Sequence, residues 1–207
     1  MSAHAATIDG GSGQGRAEAP VSAYHESLLR SPTFLGMVMF LGSEAMLFGS
    51  FFTIFFYLRF INHPWPPAGI HVPIEATGVN TAILVSSSFS MHAALISVRR
   101  NNRLGLILGL GMTLMLGVTF LALQVHEYLH LGWTPSTDAF TSGFFALTGL
   151  HGLHVFIGAT LLTIAFVRSI RGHYSADAHL GLEVTGLYWH FVDVVWVLLY
   201  TIVYLFS

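Results

Sequence analysis

Gly186-Leu187-Tyr188-Trp189-His190-Phe191-Val192-Asp193-Val194-Val195-Trp196 sets a histidine and an aspartate inside an apolar segment that runs almost to the C-terminus. An ionisable side chain near a bilayer centre costs at least ~2.5–3.5 kcal/mol, so it faces other helices or a polar pathway and points to function. The chain around this stretch is 54% hydrophobic and 9% charged over 207 residues, against roughly 25% charged in a soluble domain. That composition predicts an integral membrane protein. All eight basic residues are arginine, and neither lysine nor cysteine occurs. The net charge of −2 rests on a few groups between apolar segments. No basic surface is therefore available for nucleic acid, and disulfides and thiolate metal sites are excluded.

Five segments reach the ~20 mainly apolar residues needed to cross a hydrocarbon core: Thr33 to Ile61, Ile74 to Val98, Leu104 to Leu129, Ala139 to Val167 and Leu182 to Phe206. Between them lie the breakers and charges that end helices, such as Pro64-Trp65-Pro66-Pro67, Arg99-Arg100-Asn101-Asn102-Arg103 and Gly132-Trp133-Thr134-Pro135. The expected architecture is all-α, an integral membrane bundle of five transmembrane helices over residues 32–207. Residues 1–31, rich in Gly, Ala, Ser and His, read as a flexible tail with neither a signal-peptide core nor an arginine-rich amphipathic pattern. The tail and the second and fourth loops hold Arg16, Arg30, Arg99, Arg100, Arg103, Arg168 and Arg171, whereas the opposite side has only Arg59. This asymmetry predicts a cytoplasmic N-terminus and a periplasmic C-terminus, with Trp65 and Trp133 at the outer interface.

Depth along each span follows from a rise of ~1.5 Å per residue. Glu44 lies about eleven residues into the first span, His151 and His154 about twelve and fifteen into the fourth, and His190 and Asp193 about eight and eleven into the fifth. All five approach mid-membrane. They form either one buried polar cluster or several separate helix contacts, because sequence fixes depth and not azimuth. The plainer reading of each histidine is a hydrogen bond between helices, worth about 0.6 kcal/mol on average. Around Glu44, the segment Leu41-Gly42-Ser43-Glu44-Ala45-Met46-Leu47-Phe48 offers only Ser43 as a polar neighbour and no cation. A buried, protonated carboxyl with a proton-carrying or lipid-facing role is expected there.

His126-Glu127-Tyr128-Leu129-His130 fits H-E-x-x-H, which puts two zinc-binding histidines on one helix face beside a glutamate general base. A hydrolytic site needs a third protein ligand, and for the candidates Asp138, His151, Glu183 and Asp193 the depth either is unsuitable or is not fixed by the sequence. The plainer reading is a helix end meeting the interface. Bis-histidine haem would require ligands from facing helices, such as His151 or His154 with His190. His4, His25, His63, His71, His173 and His179 fall in the tail or loops, where solvation accounts for them. Gly105 and Gly109 form a small-xxx-small pair, and Gly111, Gly117, Gly143, Gly149, Gly152 and Gly158 continue a series of close-approach positions. The run Ser86-Ser87-Ser88 with Ser90 can bond back to its own helix carbonyls or across to a neighbouring helix, which is ordinary in membrane helices and carries no functional reading.

These residues carry a resemblance to subunit III of the haem-copper terminal oxidases. The blocks that match, in family order, are Gly36-Met37-Val38-Met39-Phe40-Leu41-Gly42-Ser43-Glu44, Val79-Asn80-Thr81-Ala82-Ile83-Leu84, Gln124 with Glu127-Tyr128, Ala146-Leu147-Thr148-Gly149-Leu150-His151-Gly152-Leu153-His154-Val155, His179-Leu180-Gly181-Leu182-Glu183, and Tyr188 through Trp196. The family's larger members have seven helices, and this chain resembles the shorter five-helix bacterial form that lacks the first two. The missing pair forms one wall of the family's lipid-filled cleft.

The resemblance implies that Glu44 matches the membrane-buried carboxylate that reacts with carbodiimide, and Glu127 a second family glutamate. It matches His151, His154, His190 and Asp193 to polar positions of the last two helices, and Arg171 and His179 to positions near bound phospholipid head groups. His126 and His130 become local substitutions around a Q-x-x-E-Y pattern, which removes the need for a metal. The implied function is that of a non-catalytic subunit of a proton-pumping oxidase that reduces oxygen to water. It would hold no redox centre, pack with subunits I and II, which carry haem and copper, bind phospholipid, and sustain proton uptake and turnover lifetime. The complex would sit in the bacterial inner membrane and take electrons from cytochrome c or quinol. Glu44 in place of aspartate, with Trp65-Pro66-Pro67, resembles the cytochrome c enzymes more than the quinol oxidases. The alternatives are a quinol oxidase subunit, a nitric oxide reductase accessory subunit and, in a different class, an intramembrane zinc hydrolase.

Overall fold

In a computed structural model, residues 31–206 are described; the expected tail at 1–31 lies almost wholly outside them. Five helices are long and apolar enough to cross a membrane: α1 (Pro32–Ile61), α2 (Ile74–Arg99), α3 (Arg103–His130), α4 (Ala139–Ile170) and α5 (Leu180–Leu199), the last continuing as a π-helical turn, Tyr200–Leu205. Each agrees with its predicted span to within a few residues. Their ends follow local chemistry. Pro32 opens α1, where a missing N–H costs nothing. The Asn102 side chain accepts from Gly105 N at the start of α3. Asp138 and Thr141 form a reciprocal capping box on α4. After α4, Gly172 takes a φ of 75°, the left-handed turn that ends helices without a Cβ clash.

Helix α5 is central. It packs against α1, α2 and α4, while α2 and α3 pair along their lengths, α3 continues onto α4, and α1 lies on α4 and α5. The outward faces carry exposed apolar side chains such as Met39, Met46 and Phe60 on α1, Leu108 and Met115 on α3 and Phe156 on α4, as a hydrocarbon surrounding requires. Helix α1 is held by buried Leu41, Phe48 and Phe55. Phe55 joins Trp65, Phe140 and Phe144 in an edge-to-face aromatic cluster with Trp133 at one end of the bundle. Trp65 and Trp133 are thus partly buried packing residues on the loops that follow α1 and α3.

The glycines divide by role. A Cβ on Gly109 would lie 2.9 Å from the Ala94 Cβ, so the small-xxx-small pair brings α3 against α2. On Gly117 of α3 and Gly158 of α4 a Cβ would lie 2.6 Å and 2.9 Å from atoms of the Trp189 indole. The ring is fully buried and fills the slot between the two glycines, and its Nε1–H donates to Ser87 Oγ on α2 at 2.9 Å. Gly149 and Gly152, expected to be close-approach positions, have nothing within 4 Å. Their phase on α4 turns them away from the helix seams.

Gly117→Ala and Gly158→Ala should each destabilise the bundle by about 1–3 kcal/mol through overpacking against Trp189. Gly149→Ala should cost nothing. The check is the midpoint of the loss of helical circular dichroism in an SDS titration.

Candidate functional site

The membrane-depth polar residues do not form one cluster. They fall into distinct sites, each on a different seam between helices, which is the second of the two arrangements left open by the sequence.

Glu44 on α1 meets His154 on α4, with Oε2 2.9 Å from Nε2. The pair is mostly buried, with side-chain exposures of 17% and 8%. His154 Nδ1 lies 2.8 Å from the Leu150 carbonyl oxygen, which only accepts, so Nδ1 carries a proton. The Nε2–Oε2 contact then holds one further proton, whether it rests on the carboxyl or on the imidazole. Phe48 packs on the imidazole, with ring centroids 5.0 Å apart. Tyr188 O–H donates to the His154 carbonyl. The segment around Glu44 named only Ser43 as a polar neighbour; the partner that matters comes from a helix more than a hundred residues away, and Ser43 bonds back to the Phe40 carbonyl.

His190 and Asp193 on α5 meet Ser88 on α2. Ser88 Oγ donates to Asp193 Oδ2 and lies 3.0 Å from His190 Nδ1. Because the hydroxyl has one proton and gives it to the carboxylate, the order is His190 Nδ1–H to Ser88 to Asp193. The sequence reading assigned Ser87 and Ser88 no role. Ser87 bonds back to the Leu84 carbonyl and also accepts from Trp189, Ser88 joins this relay, and the phase of α2 against α5 distinguishes both from Ser86, whose hydroxyl is bonded to the Ala82 carbonyl.

Glu127 accepts from Thr77 Oγ1 at 2.8 Å and Tyr204 O–H at 2.9 Å. The adjacent Tyr128 O–H donates to Thr148 Oγ1 at 2.6 Å. Glu127-Tyr128 thus ties α3 to α2, α4 and the terminal π turn. His126 and His130 lie on the exposed face with ring centroids 4.2 Å apart and the rings tilted by 30°, with His130 Nδ1 against the His126 carbonyl. Glu127 faces inward and is already engaged, so it does not converge with them as a zinc-site base would. His151 is buried between Trp196 and Phe120, at ring centroid distances of 4.7 Å and 5.9 Å.

At the arginine-rich end, Arg99 donates through Nε and Nη2 to Glu183 Oε1 at 3.1 Å and 2.8 Å, and Arg103 donates to the Ile170 carbonyl. His179, read as a solvated loop histidine, is buried instead. Its Nδ1 lies 3.0 Å from the Ser175 carbonyl and its Nε2 3.4 Å from Glu183, because the loop turns back on itself through a Ser175–Ala178 bridge. Arg171 is exposed just past α4. Nearby, Arg168 lies over the Tyr174 ring at 5.4 Å. Burial pushes the Tyr174 phenol up, against the opposing pull of that guanidinium.

Residues 15–207 match the family model for cytochrome c oxidase subunit III. The chain belongs to that family. It is 41% identical over 174 residues to cytochrome c oxidase subunit 3 of Thermostichus vulcanus, covering 84% of this chain and 87% of the relative. It is 44% identical over 172 residues to the Synechocystis protein of the same name, covering 82% and 74%. To the horse (Equus caballus) protein it is 39% identical over 194 residues, covering 90% and 74%. Together with its five apolar helices, family membership makes it a multi-pass membrane protein. The zinc-hydrolase, quinol-oxidase and nitric oxide reductase alternatives gain nothing from these matches.

Glu44→Gln keeps a donor for His154 Nε2 and should leave bundle stability within about 0.5 kcal/mol. Glu44→Leu strands that nitrogen and should cost about 1–3 kcal/mol. SDS unfolding midpoints of the two variants separate these outcomes.

Proposed function

We infer that this chain is the subunit III of a bacterial cytochrome c oxidase, a non-catalytic member of a complex that reduces oxygen to water and pumps protons. The observation that carries the reading is the subunit III family match across nearly the whole chain. Haem and copper belong to the partner subunits I and II, and cytochrome c supplies the electrons. The complex lies in the plasma membrane with the arginine-rich end, bearing Arg99, Arg100, Arg103, Arg168 and Arg171, on the cytoplasmic side, following the excess of arginine there. The exposed Arg171 suits a phospholipid phosphate, since a guanidinium offers two parallel donors to it.

Within that complex Glu44 and His154 act as a proton-holding pair, and the side chains they contact favour this role. The carboxyl is neither free in lipid nor neutralised by a permanent cation. A pair that shares one proton between Nε2 and Oε2 is net neutral, so the carboxyl sits in the bilayer without an uncompensated charge while the proton can move between the two atoms. By sustaining proton supply to the catalytic subunit it supports continued turnover. Asp193, Glu127, His151 and His190 serve the packing and assembly of the subunit.

A complex isolated in mild detergent by a tag on this chain should show haem bands in its reduced-minus-oxidised spectrum and consume oxygen when given reduced cytochrome c. A lone colourless polypeptide would overturn the reading. In the intact complex, Glu44→Gln should leave subunit composition unchanged and shorten turnover lifetime or slow proton uptake. Loss of assembly would make Glu44 a structural residue instead.

A further inference from the structure

His126 and His130 take no part in the seams that hold the bundle, and the function inferred above does not use them. They stand one helical turn apart in the last turns of α3, which begins at Arg103 and ends at His130, so they lie at the end of the bundle opposite the arginine-rich one. Both are exposed. The H-E-x-x-H spacing loses its general base in the fold, because Glu127 is turned inward onto Thr77 and Tyr204. Losing the base takes away hydrolysis by this motif and leaves its two histidines on one helix face.

Three features suit the pair to a metal ion. The ring centroids are 4.2 Å apart and the planes tilted by 30°; two imidazole nitrogens each ~2.0–2.1 Å from a shared ion need rings about this close, so side-chain rotation alone brings them to it. His130 Nδ1 lies 2.8 Å from the His126 carbonyl oxygen, which only accepts, so Nδ1 carries the proton and the lone pair is left on Nε2. A ligating histidine characteristically has its other nitrogen held in this way, which fixes the tautomer and the ring. The last carbonyls of a helix also carry partial negative charge, and a cation is favoured beside them. Imidazole nitrogen suits zinc, copper and nickel, whereas calcium and magnesium take oxygen. Among the described residues no group of three or more histidines and carboxylates comes together, so the remaining positions of such an ion fall to water.

We propose that His126 and His130 form a peripheral binding site for a divalent transition-metal ion of the zinc and copper class, chelated by the two imidazoles, through Nε2 in the case of His130. The site rests on the end of α3 alone and stands apart from the oxidase reading. Equilibrium dialysis against radioactive Zn2+ tests it, on the chelator-washed protein in mild detergent with the subunits that co-purify. Wild type is compared with His126→Gln, His130→Gln, the double variant and, as a control, His63→Gln, an exposed histidine of the loop after α1. None of these side chains belongs to the packed core, so the variants keep their helical circular dichroism. Wild type should take up one more Zn2+ than the double variant. Each single substitution at 126 or 130 should weaken that ion about tenfold or more, and the double variant should fare no worse than either, because one remaining imidazole cannot chelate. His63→Gln should bind as wild type does. Cu2+ should displace the ion, and excess Ca2+ should not. Equal zinc uptake by wild type and the double variant would overturn the proposal, as would small additive losses from the two single variants, an equal loss in His63→Gln, displacement by Ca2+ or resistance to Cu2+.

Discussion

The bundle depends on the slot that Gly117 and Gly158 leave for the indole of Trp189. In a bilayer the lipid chains are as apolar as leucine, so helices gain little by burying apolar surface against each other; dispersion at close range and interhelical hydrogen bonds must hold them. Trp189 supplies both. Its ring lies against α3 and α4 at distances a Cβ would forbid, and its Nε1–H reaches Ser87 on α2. One side chain of α5 thereby fixes the positions of three other helices, and the aromatic cluster around Phe55 and Phe140 and the seating of α1 are built on that frame.

On the same frame the polar side chains become fasteners of individual seams. Glu44 with His154 closes α1 against α4. Ser88 with Asp193 and His190 closes α2 against α5. Thr77 and Tyr204 converge on Glu127 from two elements, and Tyr128 reaches Thr148 on α4. Each is modest in energy, but the alternative in hydrocarbon is an unsatisfied polar group, so together they specify one register of the helices. The seams differ in what they leave over. Glu44–His154 leaves a proton with two places to rest, which is chemistry; Ser88 gives its one hydroxyl proton to Asp193, which is fastening.

Much of the fold was legible in the chain. The span limits held to a few residues because hydrocarbon thickness sets helix length and because Pro, Gly, Asn and Arg mark the ends. The motif blocks leading to the family were legible for the same local reason, since they are contiguous runs such as His151-Gly152-Leu153-His154. Azimuth was not. Three adjacent serines carry identical local signals, yet Ser86 bonds within its own helix, Ser87 holds an indole and Ser88 joins a relay. Gly149 and Gly158 look alike in sequence, yet only the second faces a ring. His179 read as a loop histidine and is buried because its loop folds back onto Glu183. The terminal π turn had no evident local signal either, although its Tyr204 is what reaches Glu127.

The sequence by itself determined that this is a five-span membrane bundle, where each span begins and ends, and how deep every ionisable residue sits, because these depend on local hydropathy and on the fixed rise of a helix. It also determined the family, through contiguous motifs. Only the tertiary structure decided which polar residues meet. The pairing of Glu44 with His154, of Ser88 with Asp193 and of Thr77 with Glu127 depends on the rotation of each helix about its axis, and that rotation is set by side chains packing across seams between segments far apart in the chain.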